Sequence, residues 1–262
     1  MELLHGAVPI VYDDGSEAVS GRTEIMDPRI KEEVAKDRSA VLDFEYSLVE
    51  EATKSFGNGP LRWVDIGCGP YGLLQTGGRL NQFLAGSIGI DLNREHLARN
   101  TGIQYRICAS CYSLPLPDNS VDIIVCRWVF EHLEKPDQAL REFSRVLKPG
   151  GVVYLKTPNL RNYGMLLSWA TPTAFHNLYA SKAGYEENTS TYYRANTPGK
   201  LRELARAQSL TVRRIELRAG SYFYYMFNRE LYLTMRAVSR TVGKFTNAMQ
   251  LTLLCVLQKP KN

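Results

Sequence analysis

The chain has 262 residues, of which 44% are apolar and 23% charged, with a net charge of +5. That length suits one α/β-sized domain with room for a small insertion. No run of about 18 apolar residues occurs, which excludes a membrane-spanning helix, and the N-terminus has no charged start followed by an apolar core. The five cysteines, Cys68, Cys108, Cys111, Cys126 and Cys255, fall in expected strands or beside a glycine loop. Cys108-x-x-Cys111 lacks the second pair or histidines of a zinc site. All five are expected to be reduced, in a soluble cytoplasmic protein. The charge is uneven: Arg194–Lys244 holds eleven Lys/Arg against three Asp/Glu. That stretch reads first as solvated helix faces, and second as a surface for an anionic substrate, membrane or nucleic acid.

In chain order, residues 1–26 mix Gly, Asp, Ser and Pro without a period and are expected to form a flexible arm or lid. Asp27-Pro28 opens a helix as N-cap and first-turn proline, with apolar spacing from Ile30 to about Phe56. Gly57-Asn58-Gly59-Pro60 stops it. Leu61–Ile66 is then an apolar run carrying Asp65, followed by Gly67-Cys68-Gly69-Pro70-Tyr71-Gly72. This spells G-x-G-x-x-G, a strand breaking into a loop where a ligand can lie against backbone. Alone that signal is weak. Ser87–Asp91 repeats the pattern of an apolar strand ending in an acid, placing a carboxylate where it can take both ribose hydroxyls. Together the two stretches indicate a nucleoside cofactor without saying which.

Asn93 caps a short helix to about Asn100, and Gln104–Cys108 forms a third strand. Leu114-Pro-Leu-Pro-Asp-Asn-Ser leads into a buried strand, Val121–Cys126. Arg127–Glu134 follows at that strand's carboxyl end, where ligands of open α/β sheets bind. Asp137–Leu147 is an amphipathic helix, Lys148-Pro149-Gly150-Gly151 a turn, and Val152–Lys156 the fifth strand.

These blocks, Val64-Asp-Ile-Gly-Cys-Gly, Gly89-Ile-Asp91, Leu114-Pro-Leu-Pro-Asp-Asn-Ser-Val-Asp122, Phe130-Glu-His-Leu133 and Val146-Leu-Lys-Pro-Gly-Gly151, resemble the class I S-adenosylmethionine-dependent methyltransferases. Within them the likeness is to the broad subgroup that includes the ubiquinone and menaquinone methyltransferases. It covers about Trp63–Pro158. A nicotinamide enzyme would share the glycines but not the two proline-containing blocks.

The resemblance implies a Rossmann-like, doubly wound α/β fold: seven strands, the last antiparallel, and a cap inserted after strand five. It implies S-adenosylmethionine as cofactor. Asp65, Gly67, Cys68 and Gly69 would hold its methionyl end, Asp91 the ribose, and Leu92 the adenine face. Ser110, followed by Cys111, stands where relatives place an aspartate for the adenine amine. Arg127 and Trp128 would line the sulfonium side. One related subgroup binds a divalent metal with a Glu-x-x-Glu-His run; here Trp128 replaces the first glutamate and no metal site is expected.

Methyl transfer is an in-line displacement, so the protein chiefly positions, excludes water and removes a proton. His132 is the candidate base, because an imidazole titrates near neutrality; its other reading is a histidine bonded to backbone at a helix start. His176 is the second candidate. Residues 158–195 carry many aromatics interrupted by Thr-Pro-Thr and Gly, and are expected to cap the acceptor pocket. Asn159, Tyr163, His176, Tyr193 and Arg194 are the candidate acceptor contacts, each with a packing role as the alternative.

Thr197-Pro198 caps a helix to about Ser209, Leu210–Leu217 is a sixth strand, and Met249–Gln258 closes the sheet. Within 221–248, Phe223, Phe227, Leu231, Met235, Val238, Val242 and Phe245 form an apolar stripe. It suits a helix packed on the core or on a second copy in a homodimer; the sharper reading is peripheral membrane contact for a lipid-linked acceptor. The expected function is therefore methyl transfer, with oxygen of a small molecule or glycan as the expected acceptor. Nucleic acid is disfavoured, since the basic stretch is diffuse and the Asn-Pro-Pro-Tyr type signature of base-amine methyltransferases is missing. The alternative is a non-catalytic cofactor-binding or assembly module.

Overall fold

The computed structural model describes residues 26–37, 46–47, 50, 56, 61–70, 86–162, 190–219 and 228–261. Among them lie seven strands: β1 (Trp63–Ile66), β2 (Ile88–Asp91), β3 (Tyr105–Cys108), β4 (Val121–Arg127), β5 (Leu147–Pro158), β6 (Thr211–Arg218) and β7 (Thr252–Gln258). Four helices are α1 (Arg94–Arg99), α2 (Pro136–Val146), α3 (Pro198–Ala207) and α4 (Arg229–Phe245).

The strands form one sheet in the order β3-β2-β1-β4-β5-β7-β6. β1 pairs in parallel with both β2 and β4, β2 with β3, and β4 with β5. β7 runs the other way: Lys259 just past its end exchanges backbone bonds with Gly150 and Gly151, and Leu251 before its start accepts from Asn159. This is the Rossmann-like sheet with an antiparallel last strand expected of class I methyltransferases. The chain leaves β1 in one direction for β2 and β3 and in the other for β4 and β5. The order reverses at β1 and β4, and in open α/β sheets ligands bind outside the carboxyl ends at such a point.

The apolar runs explain the core. β1 is buried throughout, as are Val121–Cys126 of β4 and Thr252–Leu257 of β7, because strands covered on both faces have no solvent side to alternate with. α2 buries Ala139, Leu140, Phe143 and Val146 along one stripe. Asn93 caps α1 by accepting from the Glu95 and His96 amides, and Thr197 caps α3 by accepting from Lys200, both as the sequence indicates.

Two elements depart from expectation. β5 starts at Leu147, five residues early, because Leu147 pairs with Val121 while Val152 pairs with Ile123. Lys148–Gly151 is the resulting bulge, held by the Lys148–Asp122 ion pair at 2.7 Å and by Lys259. α4 fully buries Tyr232 and Ser239; of the apolar stripe, Met235 packs half-buried against Ile30, Val34 and Tyr232, while Val238 is 39% and Phe245 86% exposed. Its inward face is selected by polar partners: the Tyr232 hydroxyl donates to Asp37 at 2.9 Å, Arg236 donates to Asp37 at 2.7 Å, and Ser239 donates to Gln250.

The chain divides into two compact units, Met1–Tyr46 with Pro158–Thr191 and Leu217–Leu253, and Ser47–Thr157 with Tyr192–Glu216 and Leu254–Asn262. The first holds helical residues 31–37 and α4, with Ile30, Val34 and Tyr232 as its apolar centre. It also takes most of the expected cap and all of 221–248. The second holds the glycine loop and β1–β4. The expected arm lies outside the described residues except for Met26, as do most of the cap and, apart from Tyr46, Ser47, Glu50 and Phe56, the rest of the helix expected to run to Phe56.

Candidate active site

β1 ends in a loop that the next strand holds by its backbone. The Gly67 amide donates to the Ile90 carbonyl at 2.7 Å, and the Gly69 amide donates to a carboxylate oxygen of Asp91 at 2.9 Å. The other oxygen of Asp91 accepts from the Asn93 amide at 2.8 Å. Gly67 sits at φ +67°, and a Cβ there would lie 2.3 Å from Val129. Only glycine fits between the loop and the end of β4. Gly69 is also left-handed, at φ +55°, yet a Cβ on it would meet nothing within 4 Å among the described residues. Its open side is the space in which a ligand can lie against backbone.

Asn100 is a site residue that nothing in the sequence singles out. Fully buried, it donates to the Gly69 carbonyl at 2.9 Å and so fixes the loop from beneath. Its sequence signal is only that of a helix end. Asp65 is buried at the base of the loop. Burial, then the nearby Asp65 and Asp91 charges, pushes the Cys68 thiol far above its usual range, and burial alone takes Cys111 up to about 12. Both are neutral thiols with no nucleophilic role. Beyond Asp91, Leu92 leaves half its surface exposed. Ser110, two residues after β3, accepts from the Tyr112 amide with its hydroxyl oxygen, which leaves its proton to donate.

The carboxyl end of β4 forms the opposite wall. Arg127 is its last residue and is half-buried. Trp128 adopts φ +56°, strained for a bulky side chain, while its amide bonds to the Lys156 carbonyl at 2.7 Å. The Lys156 ammonium stands over the indole at 5.3 Å, and the indole N–H is buried without a hydrogen-bond partner. Phe130–His132 form a short 3-10 turn, with the His132 amide bonded to Val129 and its side chain half-buried.

Glu131, noted in the sequence only as a remnant metal ligand, is the hub of this wall. It is buried and accepts from the Thr157 hydroxyl at 2.9 Å, and Thr157 in turn accepts from the Asn196 amide at 2.6 Å. Its backbone carbonyl accepts from the Tyr192 and Tyr193 amides at 2.7 and 3.2 Å. Burial raises its carboxyl to about 8, so at neutral pH it is mainly protonated. The hub brings Tyr193 and Arg194 beside the His132 turn; Arg194 is exposed, its guanidinium 5.7 Å from the Tyr192 ring.

Asn159 is not brought into this site. It is buried, and its amide donates to the carbonyls of Ala248 and Gln250 at 2.9 and 2.8 Å. Both donors are spent tying the end of β5 to the turn before β7, so it is a packing residue. Tyr163 and His176 lie outside the described residues.

A family described as "Methyltransferase domain" matches residues 64–155. These residues are a methyltransferase domain. They span the glycine loop, Asp91, the Glu131 wall and most of β5. Domains of this class use S-adenosylmethionine, and the observed groups fit it: an open glycine cradle, an accepting carboxylate at the end of β2, and an indole N–H with no hydrogen-bond partner among the described residues. The chain is similar to the ubiquinone biosynthesis O-methyltransferase of Parvibaculum lavamentivorans, 31% identical over 104 residues, covering 38% of this chain and 41% of that protein. It is also similar to a tRNA N(3)-cytidine methyltransferase of Bos taurus, 25% identical over 173 residues, covering 61% and 46%. The solved structure of an S-adenosylmethionine-dependent methyltransferase from Mesorhizobium loti shares the fold, with a TM-score of 0.51 and 19% identity over 76% of this chain and 91% of that one. The chain spans less than half the length of the curated relatives it matches first.

Proposed function

We propose that the chain transfers a methyl group from S-adenosylmethionine to a hydroxyl oxygen of a small-molecule or glycan acceptor. The observation that carries this reading is the Gly69–Asp91 hydrogen bond, which sets an open glycine loop beside a carboxylate that still has lone pairs for two hydroxyls. Asp65 with the Cys68 and Gly69 amides would hold the methionyl end, and Asp91 the ribose. Leu92 would cover the adenine while Ser110 donates to it, and Arg127 and Trp128 would line the methyl-bearing side. The cofactor supplies an electrophilic methyl on sulfonium. His132 would take the acceptor's proton, and Tyr193 and Arg194, held by Glu131, would contact the acceptor.

The Parvibaculum relative acts on oxygen by its name, which favours a hydroxyl. The bovine relative is named for a cytidine nitrogen, so RNA belongs among the acceptors screened. The exposed Phe245 of α4 supports including lipid-linked acceptors, met at a cytoplasmic membrane face. Isothermal titration of S-adenosylmethionine and S-adenosylhomocysteine tests the cofactor half. Micromolar binding of both is expected; a folded protein that binds neither overturns the reading in favour of a non-catalytic module.

A further inference from the structure

β6 is an edge strand of the sheet, and between its first residues and the second half of α3 lies a groove of about 410 Å³. Four arginines line it, Arg202 and Arg206 from α3 and Arg213 and Arg214 from the strand. Spaced i, i+4, Arg202 and Arg206 share a helix face, where like charges cost stability. The nearby acids are already engaged: Glu203 pairs with Lys200 at 2.6 Å, and Glu216 pairs with Arg214. Among the described residues, Arg202, Arg206 and Arg213 have no ion-pair partner. The helix dipole accounts for a cation at Arg206, in the last turn, but not for the other two.

The residue type and the shape select the ligand. Guanidinium groups are planar forks that take phosphate oxygens two at a time and give up hydration readily. A concave site of this volume falls within the range of small-ligand pockets. A nucleic-acid backbone or a bilayer would call for a long or flat basic surface. Leu210, Val212 and Ile215 add apolar lining.

We infer that this groove binds the linked phosphates of a compact polyphosphate-bearing ligand, held by Arg202, Arg206 and Arg213. The site is separate from the methyl-transfer site. α3 starts beside Asn196, which bonds to Thr157 at the end of β5; Arg202 and Arg206 stand about 6 and 12 Å along the helix from that start, and no residue lining the groove is one assigned to the methyl-transfer site. The inference therefore stands apart from the proposed reaction.

The test is calorimetric titration of tripolyphosphate into the full chain, at low and high salt, against inorganic phosphate, a short single-stranded RNA and anionic phospholipid vesicles. Tripolyphosphate is expected to bind more tightly than each comparator and to weaken with salt. The Arg202→Gln/Arg206→Gln variant is expected to lose about tenfold or more in affinity, with its thermal midpoint no lower than wild type. Arg213→Gln, on the exposed strand, provides the same readout should the double variant fail to fold. No binding of tripolyphosphate, undiminished binding by the folded variants, or tighter binding of RNA or vesicles would overturn the assignment.

Discussion

The Gly69 amide donates to Asp91 at 2.9 Å, joining the loop after β1 to the tip of β2 across 22 residues of sequence. One carboxylate thus both shapes the glycine loop and faces the ligand space. Asp91→Ala removes this bond, the Asn93 bond and the acceptors offered to the ribose. Affinity for S-adenosylhomocysteine is expected to fall by about a hundredfold, on the order of two charge-assisted hydrogen bonds. Titration of wild type and variant checks it, and unchanged affinity would refute the ribose assignment.

Gly67 and Gly69 are both left-handed, but only Gly67 has a neighbour against it. Gly67→Ala is expected to destabilise the fold by about 1–3 kcal/mol from backbone strain alone, with the Val129 clash added. Gly69→Ala carries the strain without a clash, so its larger effect should appear in cofactor affinity. Thermal denaturation and titration, run on both, separate the two roles.

Glu131 makes stability depend on pH. In the unfolded chain its carboxyl titrates near its ordinary value of 4.5, and in the folded chain near 8. Between those values the folded state holds the proton that the unfolded state has lost. Its contribution is therefore fully present below about 4.5, decreases as pH rises, and is gone above about 8. Glu131→Gln keeps a neutral acceptor for Thr157 and removes the titration. The variant should melt close to wild type at acidic pH and above it at alkaline pH. Parallel melting curves at every pH would show that Glu131 is not buried as a neutral acid.

Asn159→Ala removes the donor to the Ala248 carbonyl and strands the buried carbonyl of Gln250. A loss of about 2 kcal/mol or more in stability is expected, with S-adenosylhomocysteine affinity kept in the folded fraction. A variant of wild-type stability that loses acceptor binding would restore the substrate role.

His132 stands at the end of β4, one residue from the Glu131 hub. Once an acceptor is found, His132→Ala should lower turnover about a hundredfold and flatten the acidic limb of the rate profile. A decrease of only a few-fold would remove it as the base.

The sheet, the glycine loop and the Asp91 position were legible because each depends on local chemistry. A doubly covered strand must be an apolar run, Asn93 and Thr197 each cap the helix that starts beside them, and a left-handed position pressed against a neighbour, as Gly67 is against Val129, must be glycine. The site's inner wall was not legible in this way. Nothing near Asn100 in sequence announces that its amide will reach Gly69, 31 residues away. Glu131 becomes a neutral hub only because the fold buries it, which raises its carboxyl against the lowering effect of the Thr157 hydrogen bond. Asn159 looked like an acceptor contact by its place after β5, but the return of residues 248–250 claims both of its donors. The apolar stripe of α4 marked Met235 correctly as inward but not Val238 or Phe245, since buried Asp37 draws Tyr232 and Arg236 to the inner face. Residue type and spacing determine which strands, caps and turns can form. Which polar atom meets which is decided only when distant segments close on one another, because a buried polar group must find its partner wherever the fold supplies one.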